Sequence, residues 1–566
     1  MSVRTRGHLA LVPWHAMGGT LRAIALLVVG VFGLATACES AASSYSPRPE
    51  RERGFSVSVV PPQVTGHRLP VPWDTPKAFR SPRVYERLRQ PTGPAVARPN
   101  VVLITTDDQT LEEMRAMPKT RELFGTSGVI FDQGISPNPL CCPARASILT
   151  GQFSHNHGVR TNFAPHGGYR ALDSADTLPV WLRDAGYRTA FLGKYLNGYG
   201  RSRPDEIPPG WDIWRGAALG TRHIHDYYDT VLSENGQLRR YPRSYLTDLY
   251  ADKSVRLIRR FAESRRPFFL WQSHVAPHGG CRSRFGWDAS TCWHPPEPAY
   301  RHMDDFAEAR FPGRFDPPYD EADVSDKPAS VRNEPALDAD RRERTTRLMQ
   351  RRLQSLEAVD DAVIRTAAAL DKAGVLDETL IVFASDNGFL LGEHRTFGKN
   401  IGYEPALRVP LMMRGPGLPS GTRTNEVATL VDLAPTILAA TGVEPGLRMD
   451  GRHLLPVAKG RRPGWSTVLL QGGPNADDDT GAWRFVGVRS TRYTYLELRQ
   501  TGEVELYDRR RDPRQLRNVA ENPAYDVVER EMRRRLGALE HCAGTSCRRD
   551  FGTEPTPSGP PVGLGR

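Results

Sequence analysis

The stretch Asn100-Val101-Val102-Leu103-Ile104-Thr105-Thr106-Asp107-Asp108 decides the fold. Residues 100–105 run apolar without alternation, the pattern of a strand buried on both faces of a parallel sheet. Similar short runs recur at 188–192, 267–272 and 379–384. Between them, helical periodicity at 177–185 stops at Gly186, and at 353–373 it stops at Gly374. The alternation predicts an α/β domain built on a large mixed, mainly parallel sheet flanked by helices.

From Trp465 onward the pattern changes. Residues 483–488, 493–498 and 504–508 read as short antiparallel strands, followed by a helix at 527–539. This predicts a smaller α+β subdomain at 461–548, after a catalytic domain at 97–460. Residues 38–96 are rich in Pro, Ser and Arg and read as a linker. The tail, 549–566, reads as disordered. At the start, Arg4, Arg6 and Arg22 precede the apolar run 23–37, too short for a comfortable membrane span, so 1–37 reads as an export signal. Leu34-Ala35-Thr36-Ala37-Cys38 is similar to a bacterial lipobox, so Cys38 is a candidate for lipidation and attachment to the outer side of a membrane.

The chain has 566 residues, of which 39% are hydrophobic, enough for a sizeable core in one or two domains. Net charge is +11. The arginines are scattered and form no basic helix, so no nucleic-acid partner is expected. Of seven cysteines, Cys281 with Cys292 and Cys542 with Cys547 flank short polar segments and suggest local disulfides in an oxidising compartment. Cys38, Cys141 and Cys142 are left over.

Each predicted sheet strand ends in polar residues. The first leads to Asp107-Asp108, the second to Gly193-Lys194-Tyr195, the third to His274 and His278, and the fourth to Ser385-Asp386-Asn387-Gly388. In open α/β sheets the carboxyl ends of parallel strands share one edge, where ligands bind. Asp107, Asp108, Asp386 and Asn387 together offer hard oxygen ligands suited to calcium or magnesium. Either pair alone reads as readily as a helix cap or a turn. In Cys141-Cys142-Pro143-Ala144-Arg145-Ala146-Ser147-Ile148-Leu149-Thr150-Gly151, Pro143 suits a first helical turn and Gly151 a stop. Cys141 then precedes a helix N-terminus, where the dipole favours an anion, and Arg145 lies one turn on.

Cys141-x-Pro143-x-Arg145 with Leu149-Thr150-Gly151 resembles the signature of type I sulfatases of the alkaline phosphatase superfamily. Asp107-Asp108, Gly193-Lys194, Ala276-Pro277-His278, Ser385-Asp386-Asn387-Gly388 and Phe397-Gly398-Lys399 resemble the family's flanking motifs. Within it, Cys141-Cys142, Lys194-Tyr195-Leu196-Asn197 and Cys542 with Cys547 are most similar to N-acetylglucosamine-6-sulfatases. The resemblance implies an alkaline phosphatase-like fold and hydrolysis of sulfate monoesters, such as N-acetylglucosamine 6-sulfate or another sulfated small molecule or glycan. It implies that a formylglycine-generating enzyme oxidises Cys141, and that the hydrated aldehyde is the nucleophile. By the same resemblance Asp107, Asp108, Asp386 and Asn387, with residue 141, hold Ca²⁺ or Mg²⁺. Arg145 steadies the nucleophile and the metal ligands, Lys194 and Lys399 clamp the sulfate, and His278 protonates the leaving alcohol. Leu196 stands where many sulfatases have His, so Asn197 is a candidate for that contact. Gly392-Glu393-His394 is similar to other branches, and His274 reads as a core residue. The loops at 211–228 and 281–292 are expected to set substrate choice. Two other readings compete: a phosphomonoester or phosphonate monoester hydrolase of the same superfamily, and a non-catalytic lipoprotein that binds sulfated glycans.

Overall fold

In the computed structural model the run at 100–105 lies inside β1 (Asn100–Asp107), every residue of which is buried. Its side chains alternate between two hydrophobic layers. Val102 and Ile104 pack on one face of the sheet, Val101 and Leu103 on the other. A strand with no solvent face has no use for polar alternation, which explains the unbroken run. The structure describes residues 83–88, 90, 93–218, 225–264, 266–279, 294–310, 318–474 and 480–558. The export signal, Cys38, Cys281 and Cys292 lie outside them.

The remaining large-sheet strands are β2 (Val129–Ile135), β3 (Arg188–Gly193), β4 (Ile213–Ala217), β5 (Asp229–Glu234), β6 (Gln237–Pro242), β7 (Phe268–Pro277) and β8 (Thr379–Ser385). After a two-stranded pair, β9 (Leu390–Leu391) and β10 (Phe397–Gly398), come β11 (Leu411–Arg414) and β12 (Thr422–Thr429). The ten-stranded order is β12-β2-β11-β8-β1-β7-β3-β4-β5-β6. β8, β1, β7, β3 and β4 are parallel neighbours, while β11, β5 and β6 pair antiparallel. The register sets Thr105 beside Ser273, and Ser273 beside Gly193. The four polar strand ends therefore meet along one edge.

The second sheet is antiparallel, β13 (Thr467–Gly472), β14 (Phe485–Ser490), β15 (Tyr493–Leu498) and β16 (Val504–Asp508) in sequence order. The helix Asp526–Leu539 buries Val528, Met532, Leu536 and Leu539 in the same cluster as these strands. A disulfide joins Cys542 and Cys547.

Several boundaries differ from the sequence reading. The stretch read as linker contains a helix, Arg83–Leu88, because Leu88 finds a place in the main core. The tail expected to be disordered from 549 is held as far as Ser558. Tyr493 Oη donates to Pro555 O at 2.8 Å, and Ser558 N to Ala524 O at 2.9 Å. The helix read from 353 begins at Ala339 and runs 34 residues. Its first turns, before Leu348, lack an apolar stripe and are supported instead by the Asp338 cap and by exposed i,i+4 pairs such as Arg344 with Asp340. The segment at 211–228 is partly core: Trp211 and Trp214 pack against Phe191 rather than lining a loop.

Candidate active site

The helix Cys141–Thr150 starts at Cys141 itself, one residue earlier than the sequence suggested, with Leu140 as N-cap. Gly151 ends it in the left-handed conformation at φ 68°. Cys141 Sγ thus sits at the positive end of the helix dipole. It lies 3.4 Å from Asp107 Oδ1, 4.0 Å from Asp108 Oδ1, 3.5 Å from Lys194 Nζ and 2.8 Å from Lys399 Nζ. Lys194 is paired with Asp107, and Lys399 with Asp108. One ligand atom each from Asp107, Asp108, Cys141 and His278 falls within 4.8 Å of the others.

β8 delivers the remaining oxygens. Asp386 Oδ1 accepts from Asp108 N at 3.1 Å, and Asn387 Nδ2 donates to Asp108 Oδ1 at 2.7 Å. Asn387 Oδ1 is buried and has no hydrogen-bond partner among the described residues. Three buried carboxylates beside a spare amide oxygen form a hard-oxygen set that fits a divalent cation. Asp108 adopts φ 69°, an uncommon region for a residue with a Cβ. Its neighbours enforce this: Asp386 takes its N–H, and Arg352 Nη2 donates to its carbonyl at 2.6 Å.

Arg145 is fully buried and turned toward the Asp107 and Asp386 carboxylates. It donates to Asp386 Oδ2 at 2.8 Å, Lys194 O at 2.6 Å and Ser273 Oγ at 2.7 Å, and pairs with Asp107 at 3.5 Å. Its work is to hold carboxylates in place. His278, at the end of β7, has Nε2 3.6 Å from Asp108 Oδ2 and Nδ1 2.8 Å from Gly279 O.

Burial, then Asp107, pushes the Cys141 thiol up to about 12 despite the two lysines. Burial also pushes Asp107 up, but the charges of Lys194, Arg145 and Lys399 outweigh it and hold the carboxyl well below its usual range. Burial and the neighbouring Asp107 raise Asp386 to about 6. Burial, with Lys194 adding to it, lowers His278 to about 3, so its ring is neutral. An unmodified thiol in this setting is a poor nucleophile, since almost none of it is thiolate at neutral pH.

All the residues expected at the site from sequence thus meet: Asp107, Asp108, Cys141, Arg145, Lys194, His278, Asp386, Asn387 and Lys399. For Asn197 the observed contact is through the backbone, and its Oδ1 is buried with no hydrogen-bond partner among the described residues. Its backbone N–H donates to Cys142 Sγ at 2.9 Å, which holds the second cysteine. His394 pairs with Glu321 at 2.6 Å in a separate cluster on Tyr403. His274 is a buried core residue on β7, near Tyr250. Sequence reading missed Ser273, Arg352 and His225. His225 stacks on His278 at 4.1 Å between ring centroids, and its place in the loop at 211–228 was its only signal.

A sulfatase family model matches residues 99–443, and a model of the C-terminal region of N-sulphoglucosamine sulphohydrolase matches 392–541. An arylsulfatase of Volvox carteri is 35% identical over 80% of this chain and 76% of its own length. The N-acetylglucosamine-6-sulfatase of Homo sapiens is 31% identical over 80% of this chain and 86% of its own. Among solved structures, a complex of a protein with its substrate D-glucosamine-2-N,6-O-disulfate superposes with a TM-score of 0.64 at 25% identity, covering 78% of this chain and 97% of that one. The family model spans the strands that carry the buried acids and lysines, and the relatives match over most of both chains, so this protein belongs to the sulfatases of the alkaline phosphatase superfamily, the hydrolases of sulfuric esters.

Proposed function

We propose that the protein removes sulfate from a sulfated sugar, of the class of N-acetylglucosamine 6-sulfate, and that residue 141 acts as formylglycine. The observation that carries this reading is the placement of Cys141 Sγ between two ammonium groups and two carboxylates, at 2.8 Å from Lys399, 3.5 Å from Lys194 and 3.4 Å from Asp107. The sugar class is supported by the human relative and by the substrate of the superposed complex.

Asp107, Asp108, Asp386 and Asn387 are the residues that would hold a divalent cation, calcium or magnesium. The hydrated aldehyde supplies a hydroxyl nucleophile that can later expel sulfate, and the cation supplies charge that favours the deprotonated hydroxyl. Lys194 and Lys399 bind the sulfate oxygens and meet the charge that spreads over them in the transition state. Arg145 keeps Asp107 and Asp386 in position. Gly279 O fixes the Nδ1 proton of His278, so Nε2 is the atom that exchanges protons. It takes one up as the anionic substrate arrives and hands it to the leaving alcohol oxygen. Maturation by a formylglycine-generating enzyme belongs to this reading, and so does export with attachment through a lipidated Cys38.

Mass spectrometry of the peptide spanning Cys141, from protein made in its native host, tests the modification, and an unmodified thiol there would remove the nucleophile. Turnover of an aryl sulfate is expected to exceed that of the matching aryl phosphate by orders of magnitude. A strong preference for the phosphate would instead mark a phosphoester hydrolase on the same fold.

A further inference from the structure

A cavity of about 730 Å³ lies apart from the cluster around Cys141 and is lined by residues none of which belongs to it. Four arginines of the helix Ala339–Lys372 line it, Arg341, Arg344, Arg347 and Arg351, together with Phe389 and Phe397. Arg341, Arg344 and Arg351 recur at helical spacing and so share one side of the helix. Among the described residues, one lining carboxylate, Glu297, stands against the four guanidiniums.

The lining is joined to the active site along three stretches of chain. Phe389 follows Asn387-Gly388, and Phe397 precedes Gly398-Lys399. Arg351 precedes Arg352, which donates to Asp108 O at 2.6 Å and lies over the Phe389 ring at 5.0 Å. The lining is therefore next in sequence to residues of the Cys141 site on three sides.

The charge in the cavity is poorly spent within the protein. Arg344 pairs with Asp340 and Arg347 with Glu343, but both pairs are exposed and such pairs exchange readily. Arg341 and Arg351 are half-buried, and among the described residues neither has a carboxylate partner. Arg341 lies over the Phe397 ring at 5.6 Å, and Arg351 donates only to Gln354 Oε1, at 3.2 Å. Guanidiniums match the oxygens of sulfate or carboxylate as forks, and the half-buried Phe397 adds apolar surface beside them. Both features suit an anionic sugar.

We propose that this cavity is a subsite for a further anionic sugar of a sulfated oligosaccharide whose scissile sulfate sits at Cys141, so that the enzyme's substrate is a polyanionic chain rather than a single sugar. This rests on the sulfatase reading of the Cys141 site and adds to it the arginines that recognise the rest of the substrate. Contacts remote from the reacting bond can draw on binding energy that a monosaccharide cannot supply.

The test compares the full-length, matured protein with the variant Arg341→Ala/Arg351→Ala. Alanine keeps the helix. Both are assayed on N-acetylglucosamine 6-sulfate and on a heparin-derived tetrasaccharide with a 6-sulfated glucosamine at its non-reducing end. The variant should raise KM for the tetrasaccharide about tenfold and leave the monosaccharide within about twofold, and added salt should narrow the difference. Equal losses on both substrates, or none on either, would overturn the subsite while leaving the sulfatase reading intact. Should the parent protein hydrolyse neither, that reading fails, and calorimetry decides the cavity separately. Cys141→Ala protein should bind the tetrasaccharide about tenfold more tightly than the same protein carrying the two arginine changes, and equal Kd values would overturn the proposal.

Discussion

His225 and His278 stack face to face, with ring centroids 4.1 Å apart and planes within 2°. Burial, then His278 itself, holds His225 well below its ordinary value, and burial lowers His278 to about 3, so both rings are neutral. Two neutral rings can lie in contact where two imidazoliums would repel. The stack sets the plane of His278 and so the direction of its Nε2. His225→Ala should lower kcat about tenfold with KM little changed, whereas His225→Phe, which keeps a ring, should stay within about threefold. Steady-state kinetics on an aryl sulfate measure this, and an alanine variant equal to wild type would rule out a positioning role.

Lys399 contacts Cys141 Sγ at 2.8 Å and pairs with Asp108. Removing one donor aimed at developing oxyanion charge costs about 10²–10³ in kcat. Lys399→Ala is expected in that range, and Cys141→Ala should abolish turnover altogether. Both proteins should unfold cooperatively, since neither change removes core volume of consequence. Turnover by the Cys141 variant would disprove the nucleophile.

Chelation should stop turnover and lower the unfolding midpoint, and calcium or magnesium should restore both. A ligand that binds only the folded state adds about 2.7 kcal/mol when present at 100 times its Kd. Asp386→Asn should weaken or remove this metal-dependent gain, because Asp386 carries one of three charges in the oxygen set and its Oδ1 also holds Asp108 N at 3.1 Å. Calorimetric scans with and without chelator give the comparison, and identical scans would argue against a resident cation.

Acid stability should depend on Glu404. Its carboxylate accepts from Arg489 Nε at 2.7 Å and Nη2 at 2.9 Å. Burial pushes Glu404 up, but Arg489 and then Arg509 outweigh it and hold it well below its usual value of 4.5. The unfolded chain therefore binds this proton more readily than the folded one. The stabilisation is fully present above about pH 5 and fades as pH falls below 4.5. Glu404→Gln should cost about 3–5 kcal/mol at pH 7, since Arg489 is left buried without its partner. Its stability should also fall less steeply with acid. Urea unfolding between pH 7 and pH 3 reads both effects.

The amino-acid sequence alone determined the parallel core and the helix bracketed by Pro143 and Gly151, and, with the family resemblance supplying Lys194 and Lys399, the eight residues that gather around Cys141. These features are local: an unbroken apolar run needs cover on both faces, Gly151 permits a left-handed stop, and polar residues directly after parallel strands must share an edge. Tertiary structure alone decided that Asn197 N–H meets Cys142, that His225 lies on His278, and that Arg352 holds Asp108 in its left-handed conformation. It also decided that the first half of the helix Ala339–Lys372 presents arginines to a cavity. Arg352 and Asp108 are 244 positions apart. Contacts of that kind follow from strand order and close packing between distant segments, and no periodicity within either segment encodes them.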